Sequence, residues 1–423
     1  MSQEPGFSAD QPPRTPAGVE RRIWGRFPAN ATATSPPTVA QDTLWTTLAK
    51  AAPDAYRQGR HDEVEKQFLA AILAAEKLDP KDLRLASSLN DLGGLYLAQG
   101  KYALSETLCQ RSLGILEKTL GPKHAFLAIA LNNLGQIYDS QGRYAEAEQL
   151  LERALAILEQ AVGPDDPHVG YTLSLLARVY RTRGKSAEAE PLLQRSLAIM
   201  HRAYGPDHPE TAASMGNLAT LYLREGRYAE AKPLLQRSLI VMRKTWGEVH
   251  FEVALCFQRL ALLYDRQGLH RRAKPYFKRS LTILQLTLGP DHPEVARGLN
   301  NLAASYQAQE QYAKAEPLLE QALAILRKAL GPGHAEVTAL LNNLAALHHS
   351  QGEYAEAELL YRQALAIREE TLGPDHPQVA SVLMNYANLL QETNRTAEAR
   401  RLEARARAIQ GRQAASPSLP VAD

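Results

Sequence analysis

The sequence is poor in cysteine, in aromatic residues and in long apolar runs. Its 423 residues contain two cysteines, Cys109 and Cys256, and 6% aromatic residues. Two cysteines this far apart at apolar positions predict buried core residues rather than a disulfide or a metal site. Few aromatic and β-branched residues, beside abundant Leu and Ala, favour helix over sheet. No run approaches the roughly 18 apolar residues of a membrane-spanning helix, so we expect no membrane span.

Two further absences concern partners and catalysis. The 48 basic and 46 acidic residues leave a net charge of +2, which gives no general reason to expect nucleic acid or an anionic membrane as a partner. The sequence has no P-loop, G-x-S-x-G, H-E-x-x-H or C-x-x-C motif, so it predicts no enzymatic activity, catalytic residue, cofactor or metal. Arg21 and Arg22 precede no apolar segment. A secretory leader is therefore not expected, and the protein is predicted to be cytoplasmic.

What the sequence does contain is a repeat of 42 residues. Gly-Pro pairs recur at this interval, and so do the residues that open each apolar segment. The openings are Leu89, Leu131, Leu173, Met215, Phe257, Leu299, Leu341 and Leu383. Eight units are therefore in register, and a degenerate ninth precedes them. A fixed period of this length is typical of a solenoid in which every unit packs on its neighbours.

Each unit predicts two helices. In the second unit Leu131, Leu134 and Tyr138 follow the i, i+3, i+7 spacing of one helix face, and Gly142 interrupts that pattern. A second helical face follows, and a Gly-Pro pair ends it. Neither helix can bury its apolar face alone, so neighbouring pairs are expected to stack into a continuous core.

These positions match the tetratricopeptide repeat pattern. The matching residues of the second unit are Leu131, Leu134, Gly135, Tyr138, Ala147, Leu151 and Ala154. With its 42-residue period, the sequence resembles the kinesin light chain type of these repeats over about residues 44–411. The resemblance implies an all-α, right-handed superhelical solenoid of antiparallel helix pairs with a concave groove. We expect a monomer with a disordered Pro-rich tail at residues 1–43, about nine units at 44–411 and a disordered tail at 412–423.

Six histidines also lie on the 42-residue interval. They are His124, His208, His250, His292, His334 and His376. A metal shared between units would need ligand atoms about 2 Å from it, whereas neighbouring helices lie roughly 10 Å apart. The histidines are therefore predicted to cap, or pack against, the start of the following helix.

Paired asparagines recur on the helix face opposite the apolar one. The second asparagine of each pair gives the candidate peptide-binding residues Asn133, Asn217, Asn301, Asn343 and Asn385. An Asn amide both donates and accepts, so it could bracket the peptide groups of an extended ligand. In the resembling families, matching asparagines hold peptide ligands. Two alternatives stay open: hydrogen bonds between neighbouring helices, or copying by repeat duplication without any binding role.

In the middle units, arginines lie at or near the positions that asparagines occupy in other units, close to Tyr171 and Leu175. The candidate ligand contacts among them are Arg178, Arg224, Arg259, Arg266 and Arg297. Arginine gathered on a concave surface predicts recognition of carboxylates or phosphates. The same residues could instead be solvated surface charges.

The predicted function is a non-enzymatic protein–protein interaction scaffold that binds a peptide segment, acidic by preference, in its concave groove. Three alternatives remain. A regulatory sensor would change the shape of its superhelix on binding a small signalling peptide. A nucleic-acid-binding protein would show a steep salt dependence, and an enzyme would need a polar cluster in the groove that the sequence does not display.

Overall fold

The computed structural model describes residues 61–76, 83–99 and 101–414, and helix is the regular secondary structure within them. The helices are α1 (His61–Glu76), α2 (Leu83–Ala98), α3 (Tyr102–Leu120), α4 (Leu127–Ser140), α5 (Tyr144–Ala161), α6 (Pro167–Thr182), α7 (Ser186–Tyr204), α8 (Pro209–Arg224), α9 (Tyr228–Trp246), α10 (Phe251–Arg266), α11 (His270–Leu288), α12 (Pro293–Gln307), α13 (Tyr312–Leu330), α14 (Ala335–Gln351), α15 (Tyr354–Leu372), α16 (Pro377–Glu392) and α17 (Thr396–Ala414). No strand occurs in these ranges, which confirms the all-α prediction. The tail expected at residues 1–43 lies outside the described part of the chain. So does most of the tail expected at 412–423, but its first three residues belong to α17.

The helices pack as antiparallel pairs that repeat along the chain. Each even-numbered helix packs on the odd-numbered helix that follows it, and that helix packs on the next pair. Most even-numbered helices also contact the even-numbered helix of the next unit. These contacts place the even-numbered helices on the inner wall of the superhelix, where they line the concave groove. The predicted right-handed solenoid of helix pairs is confirmed.

Apolar spacing and one small residue explain the packing within a unit. In the second unit, Leu131 is buried in a cluster with Ala154, and Leu134 in a cluster with Leu151. A Cβ atom at Gly135 would lie 2.7 Å from Leu151 Cγ, so the glycine lets α4 and α5 approach closely. Full burial of one leucine contributes roughly 1.5–3 kcal/mol. Repeating this contact in every unit holds the array together.

The six histidines on the 42-residue interval bond to the start of the following helix, as predicted. In each, Nδ1 accepts a hydrogen bond from the backbone N–H two residues later, over 3.1–3.2 Å. Five of them are N-cap residues, and His124 makes the same bond just before α4. Because Nδ1 must be unprotonated to accept this bond, a neutral ring carries its proton on Nε2. Within the described ranges, no cluster of three His, Cys, Asp or Glu side chains could hold a metal ion.

The two cysteines are buried and not linked by a disulfide, in agreement with the core positions predicted for them. A Cβ atom at Gly93 would lie 2.5 Å from the Cys109 sulfur, so this sulfur fills the space between α2 and α3. None of the helices described here is both long enough and apolar enough to cross a membrane.

Residues at the two ends of one superhelical turn touch each other. The hydroxyl of Tyr102, at the start of α3, lies 3.0 Å from Nε2 of His334, the N-cap of α14. Since His334 Nδ1 accepts the cap bond, Nε2 carries the proton and donates to the hydroxyl. One unit further along, Gly142 lies against the ring of His376, because a Cβ atom at Gly142 would overlap Nε2 of that ring. We call these four residues the clasp, since Tyr102 and His334 are 232 residues apart in sequence.

Candidate functional site

The paired asparagines bond to one another across neighbouring units toward both ends of the array. The second asparagine of one unit donates its Nδ2 hydrogen to Oδ1 of the first asparagine of the preceding unit, 43 residues earlier. These bonds join Asn133 to Asn90 (3.0 Å), Asn343 to Asn300 (2.8 Å) and Asn385 to Asn342 (3.1 Å). An interval of one repeat plus one residue puts the two amides on facing surfaces of adjacent even-numbered helices. These three asparagines therefore form the bonds between helices that the sequence left open as an alternative.

The central units carry other residue types at the facing positions, and no Asn–Asn bond forms there among the described residues. The facing pairs are Asn132 with Leu175, Ser174 with Asn217, Gly216 with Arg259, and Gln258 with Asn301. Asn132 donates instead to Thr172 Oγ1 over 2.9 Å. Asn217 and Asn301 lie at the groove surface, where both line a cavity.

This cavity has a volume of about 680 Å³ and occupies the groove between α4 and α12. Five of the predicted ligand contacts line it: Arg178, Asn217, Arg259, Arg297 and Asn301. The other five lie outside the lining that the described residues form: Asn133, Arg224, Arg266, Asn343 and Asn385. The structure thus brings together the predicted residues of α6, α8, α10 and α12, and leaves the outer asparagines apart from them.

Four arginines gather at the C-terminal halves of α6, α8 and α10. We call Arg178, Arg181, Arg224 and Arg259 the arginine cluster, because the other three all act electrostatically on Arg181. Burial, followed by repulsion from Arg224 and Arg178, lowers the pKa of Arg181 to about 10. Nε of Arg178 lies 2.9 Å from Asp139 Oδ2, as an ion pair. No carboxylate of the described residues lies within ion-pair distance of the other three guanidinium groups.

The side chain of Arg259 lies over Gly216 of the neighbouring helix α8. A Cβ atom at Gly216 would lie 2.5 Å from Arg259 Nη1. Gly216 lies within a regular helix, so its backbone conformation does not require glycine. The glycine instead leaves room for Arg259, because an alanine methyl group would displace the guanidinium from this position.

Arg297 and Arg266, also predicted as ligand contacts, are placed differently from the arginine cluster. Arg297 forms ion pairs with Glu294 and Glu336, with its Nη2 atom 2.6 Å from Glu336 Oε1. It lines the cavity with its charge already neutralised. Arg266 is exposed at the C-terminal end of α10, seven residues after Arg259 and away from the cavity lining.

Two carboxylates line the other end of the cavity. Glu210 and Glu252 lie in the first turns of α8 and α10. Arg259 follows Glu252 by seven residues, which is about 10 Å along the helix axis. The cavity is therefore positive toward the C-terminal ends of its helices and negative toward their N-terminal ends. Carboxylates near helix N-termini and cations near C-termini both complement the helix dipole, so the fold tolerates this separation of charge.

Among the lining residues that the sequence-based prediction missed, Arg181 and Trp246 bear most directly on a ligand. Arg181 follows Arg178 by three residues, about one helical turn, and that spacing could have indicated it. Trp246, the last residue of α9, stacks on His250 with ring centroids 5.0 Å apart and lines the cavity. The sequence gives no signal for Trp246, because apolar residues of several kinds occupy the equivalent position in other units.

Comparison with known proteins extends these observations. The family model of the tetratricopeptide repeat matches residues 84–160, 168–244, 216–285, 253–328, 295–370 and 336–411. No curated protein matches the chain.

Solved structures with similar chains include two from named organisms. A kinesin light chain-like protein of Podosopora anserina with nearly identical TPR-like repeats is 30% identical, with 48% of this chain and 97% of that chain covered and a TM-score of 0.40. BtubC (BKLC) from P. vanneervenii is 21% identical, with 57% of this chain and 95% of that chain covered and a TM-score of 0.44.

A third similar structure covers more of this chain. A Rap protein complexed with competence and sporulation factor is 13% identical, with 88% of this chain and 99% of that chain covered and a TM-score of 0.59. At this identity the likeness shows the fold alone. Repeats of the matched kind support a role in protein–protein interaction. The family model spans the array from residue 84 to residue 411 with one short gap, and the chain belongs to the tetratricopeptide repeat family.

Proposed function

We propose that the central units bind an extended acidic peptide segment of a partner protein in the concave groove. The observation that carries this proposal is the arginine cluster, where Arg181 and Arg259 line the cavity, are partly buried and lack a carboxylate partner among the described residues. Partly buried charge is unfavourable unless it is paired. An anionic ligand therefore gains more from this surface than from exposed arginines in water.

Asn217 and Asn301 would hold the peptide backbone. Both line the cavity, and they lie two units apart on α8 and α12. Adjacent helices are roughly 10 Å apart, so the two amides span about 20 Å. An extended peptide rises about 3.3 Å per residue, and about six residues would reach from one amide to the other. Each amide can donate to a carbonyl and accept from an N–H group of the ligand.

The charge separation in the cavity orients the ligand. Acidic side chains would contact the arginine cluster, near the C-terminal ends of α6, α8 and α10. Glu210 and Glu252 would repel carboxylates at the other end, about 10 Å away along the helix axis. We therefore infer a ligand whose acidic residues lie along one edge of the groove, with neutral or basic residues along the other.

The proposed role is binding without catalysis. The described residues that line the cavity include no histidine, cysteine or lysine, and its two carboxylates, Glu210 and Glu252, lie at the end away from the arginine cluster. Partly exposed lining residues such as Tyr171, Leu255 and Leu262 provide contact area for side chains of a peptide.

Charge reversal at two positions on α10 tests this function. Arg259 lines the cavity and Arg266 lies outside it, so R259E and R266E make the same change seven residues apart on one helix. Both variants are probed with immobilised peptide libraries rich in glutamate or in lysine. We expect R259E to lose retention of the glutamate library by about ten-fold or more, and R266E to retain it. Equal retention by both variants, with a normal circular dichroism spectrum, would show that the groove does not read acidic peptides.

The clasp favours a second function, that of a sensor whose superhelix changes shape on binding. A ligand that fits a groove of different pitch would pull Tyr102 away from His334, and the contact would report occupancy to a second partner. Small-angle X-ray scattering with and without the glutamate library measures this change directly. An unchanged radius of gyration at saturating peptide would leave the scaffold function and eliminate the sensor.

A further inference from the structure

The arginine cluster holds more positive charge than one carboxylate can neutralise. Asp139 pairs with Arg178 and leaves Arg181, Arg224 and Arg259 without an ion-pair partner among the described residues. Nε of Arg181 is buried and makes no hydrogen bond in the described structure. A single carboxylate has two oxygens and is matched by one guanidinium fork. Of these, Arg181 and Arg259 line the cavity, whereas Arg224 is exposed outside its lining. Two unpaired guanidinium groups in one cavity, beside the paired Arg178, therefore call for a group with more charge and more acceptor atoms than one carboxylate.

A phosphoryl group has these properties. It carries a charge of about −1.5 to −2 at neutral pH and offers three strong acceptor oxygens. Guanidinium groups bind phosphate through paired N–H donors, which a lysine cannot reproduce. Because Arg259 lies over Gly216 rather than extending into solvent, its guanidinium is held on the groove wall beside the other arginines. This positioning lowers the entropy that the side chain loses on binding.

We propose that the arginine cluster binds a phosphorylated side chain of the peptide that occupies the groove, a step that depends on the peptide-binding function above. A nucleic acid fits the cavity less well. Its phosphodiesters carry one charge each along a continuous strand, and Glu210 and Glu252 would repel that strand at the other end of the same cavity. A peptide with one phosphorylated residue places its charge at the cluster and leaves the carboxylate end to other side chains.

The test compares three oriented peptide libraries whose central residue is phosphoserine, glutamate or serine, each with degenerate flanking positions. They are applied to the immobilised full-length protein. We expect the phosphoserine library to be retained at least about ten-fold better than the glutamate library, because a dianion engages more than one guanidinium. Inorganic phosphate should compete for the site, whereas acetate at equal ionic strength should not.

A matched pair of glycine variants links the effect to the arginine cluster. G216A adds a methyl group that displaces Arg259, whereas G114A adds one in α3 where nothing lies within 4 Å. Both changes favour helix, so both variants should fold. We expect G216A to bind the phosphoserine library no better than the glutamate library, and G114A to behave as the wild type.

Each remaining outcome overturns the inference in a distinguishable way. Equal retention of the glutamate and phosphoserine libraries would refute phosphoryl recognition while the acidic-peptide function stands. If neither library is retained above the serine library, both proposals are wrong. Quenching of Trp246 fluorescence by inorganic phosphate in a W24F/W45F background, with no library retained, would identify a small phosphate compound as the ligand instead of a peptide.

Discussion

The outer and central units carry the same ladder of polar positions and use it differently. In the outer units the second asparagine donates to the first asparagine of the preceding unit, as Asn343 does to Asn300. In the central units, Leu175 and Arg259 stand where that donor would be, and Asn217 faces a serine. A repeat position can therefore serve the stability of the array in one unit and be available to a ligand in another.

The free-energy cost of asparagine in a helix can be compared with the gain from the hydrogen bonds it forms. Each asparagine costs about 0.6 kcal/mol of helix stability relative to alanine. A hydrogen bond between two of them contributes about 1 kcal/mol net, which nearly offsets the cost of the pair. Asn217 and Asn301 form no such bond within the described residues, so their cost to the fold is not offset in this way. The imbalance supports a role for these two amides in binding.

Removing one whole unit should have the largest effect on stability and a small effect on the groove, because the next unit supplies the equivalent lining residues. Deleting residues 299–340 joins equivalent positions, and Asn343 then takes the place of Asn301. At about 0.05–0.15 kcal/mol per residue, the loss of 42 residues should lower the free energy of unfolding by about 2–6 kcal/mol. Urea denaturation measures that loss, and retention of the glutamate library should persist. Aggregation of the deletion variant would argue against a linear array of independent units.

Replacing Arg181 should separate stability from binding. Its folded-state pKa lies below the usual arginine value, chiefly because of burial, so its charge destabilises the fold. R181M should therefore raise the free energy of unfolding by about 1–2 kcal/mol and weaken retention of acidic peptides. R202M is the control, because the Arg202 side chain is 65% exposed and its loss should change stability by less than about 0.5 kcal/mol. A destabilised R181M variant would show that the arginine cluster supports the fold.

Two double alanine variants compare the ladders directly. N217A/N301A should gain about 1 kcal/mol of stability from helix propensity and lose peptide retention whatever the charge of the peptide. N343A/N385A should lose about 1 kcal/mol, because it removes two hydrogen bonds and leaves Asn300 and Asn342 without their donors. Its peptide binding should be unchanged. If both variants change equally in stability and in peptide retention, the asparagines of the outer and central units do not differ in role.

Acidification should produce the smallest effect, at the clasp. Burial lowers the pKa of His334 and of His376, with Arg297 and Arg368 acting in the same direction and Glu336 raising that of His334. The unfolded state therefore takes up protons first, and stability should fall as the pH drops below about 6.5. H334N/H376N keeps a neutral cap acceptor at both helices and should reduce this dependence. Urea midpoints at pH 7.5 and 5.5 measure this pH dependence. If the midpoint falls by the same amount in the wild type and in H334N/H376N, the expectation is wrong.

The sequence predicted the fold well because each structural requirement occurs in every unit. Apolar positions such as Leu131 and Leu151, and the capping histidines, repeat at one interval. A pattern that would be weak evidence in one unit therefore becomes strong evidence across the array. The partners of the asparagines were harder to predict. Their 43-residue interval depends on how adjacent helices are rotated about their axes, which no single unit encodes. The contact between Arg259 and Gly216 has the same origin.

The clasp is built on a residue type that recurs in every unit from His208 onward. If recombination between near-identical units removed one copy, His376 would move into the position of His334 and face Tyr102. Insertion of a unit would bring His292 there in the same way. Closure of the turn thus depends on how many units make up one turn, and not on the identity of one histidine. A lineage of such proteins can change length by whole units and inherit a closed superhelix each time.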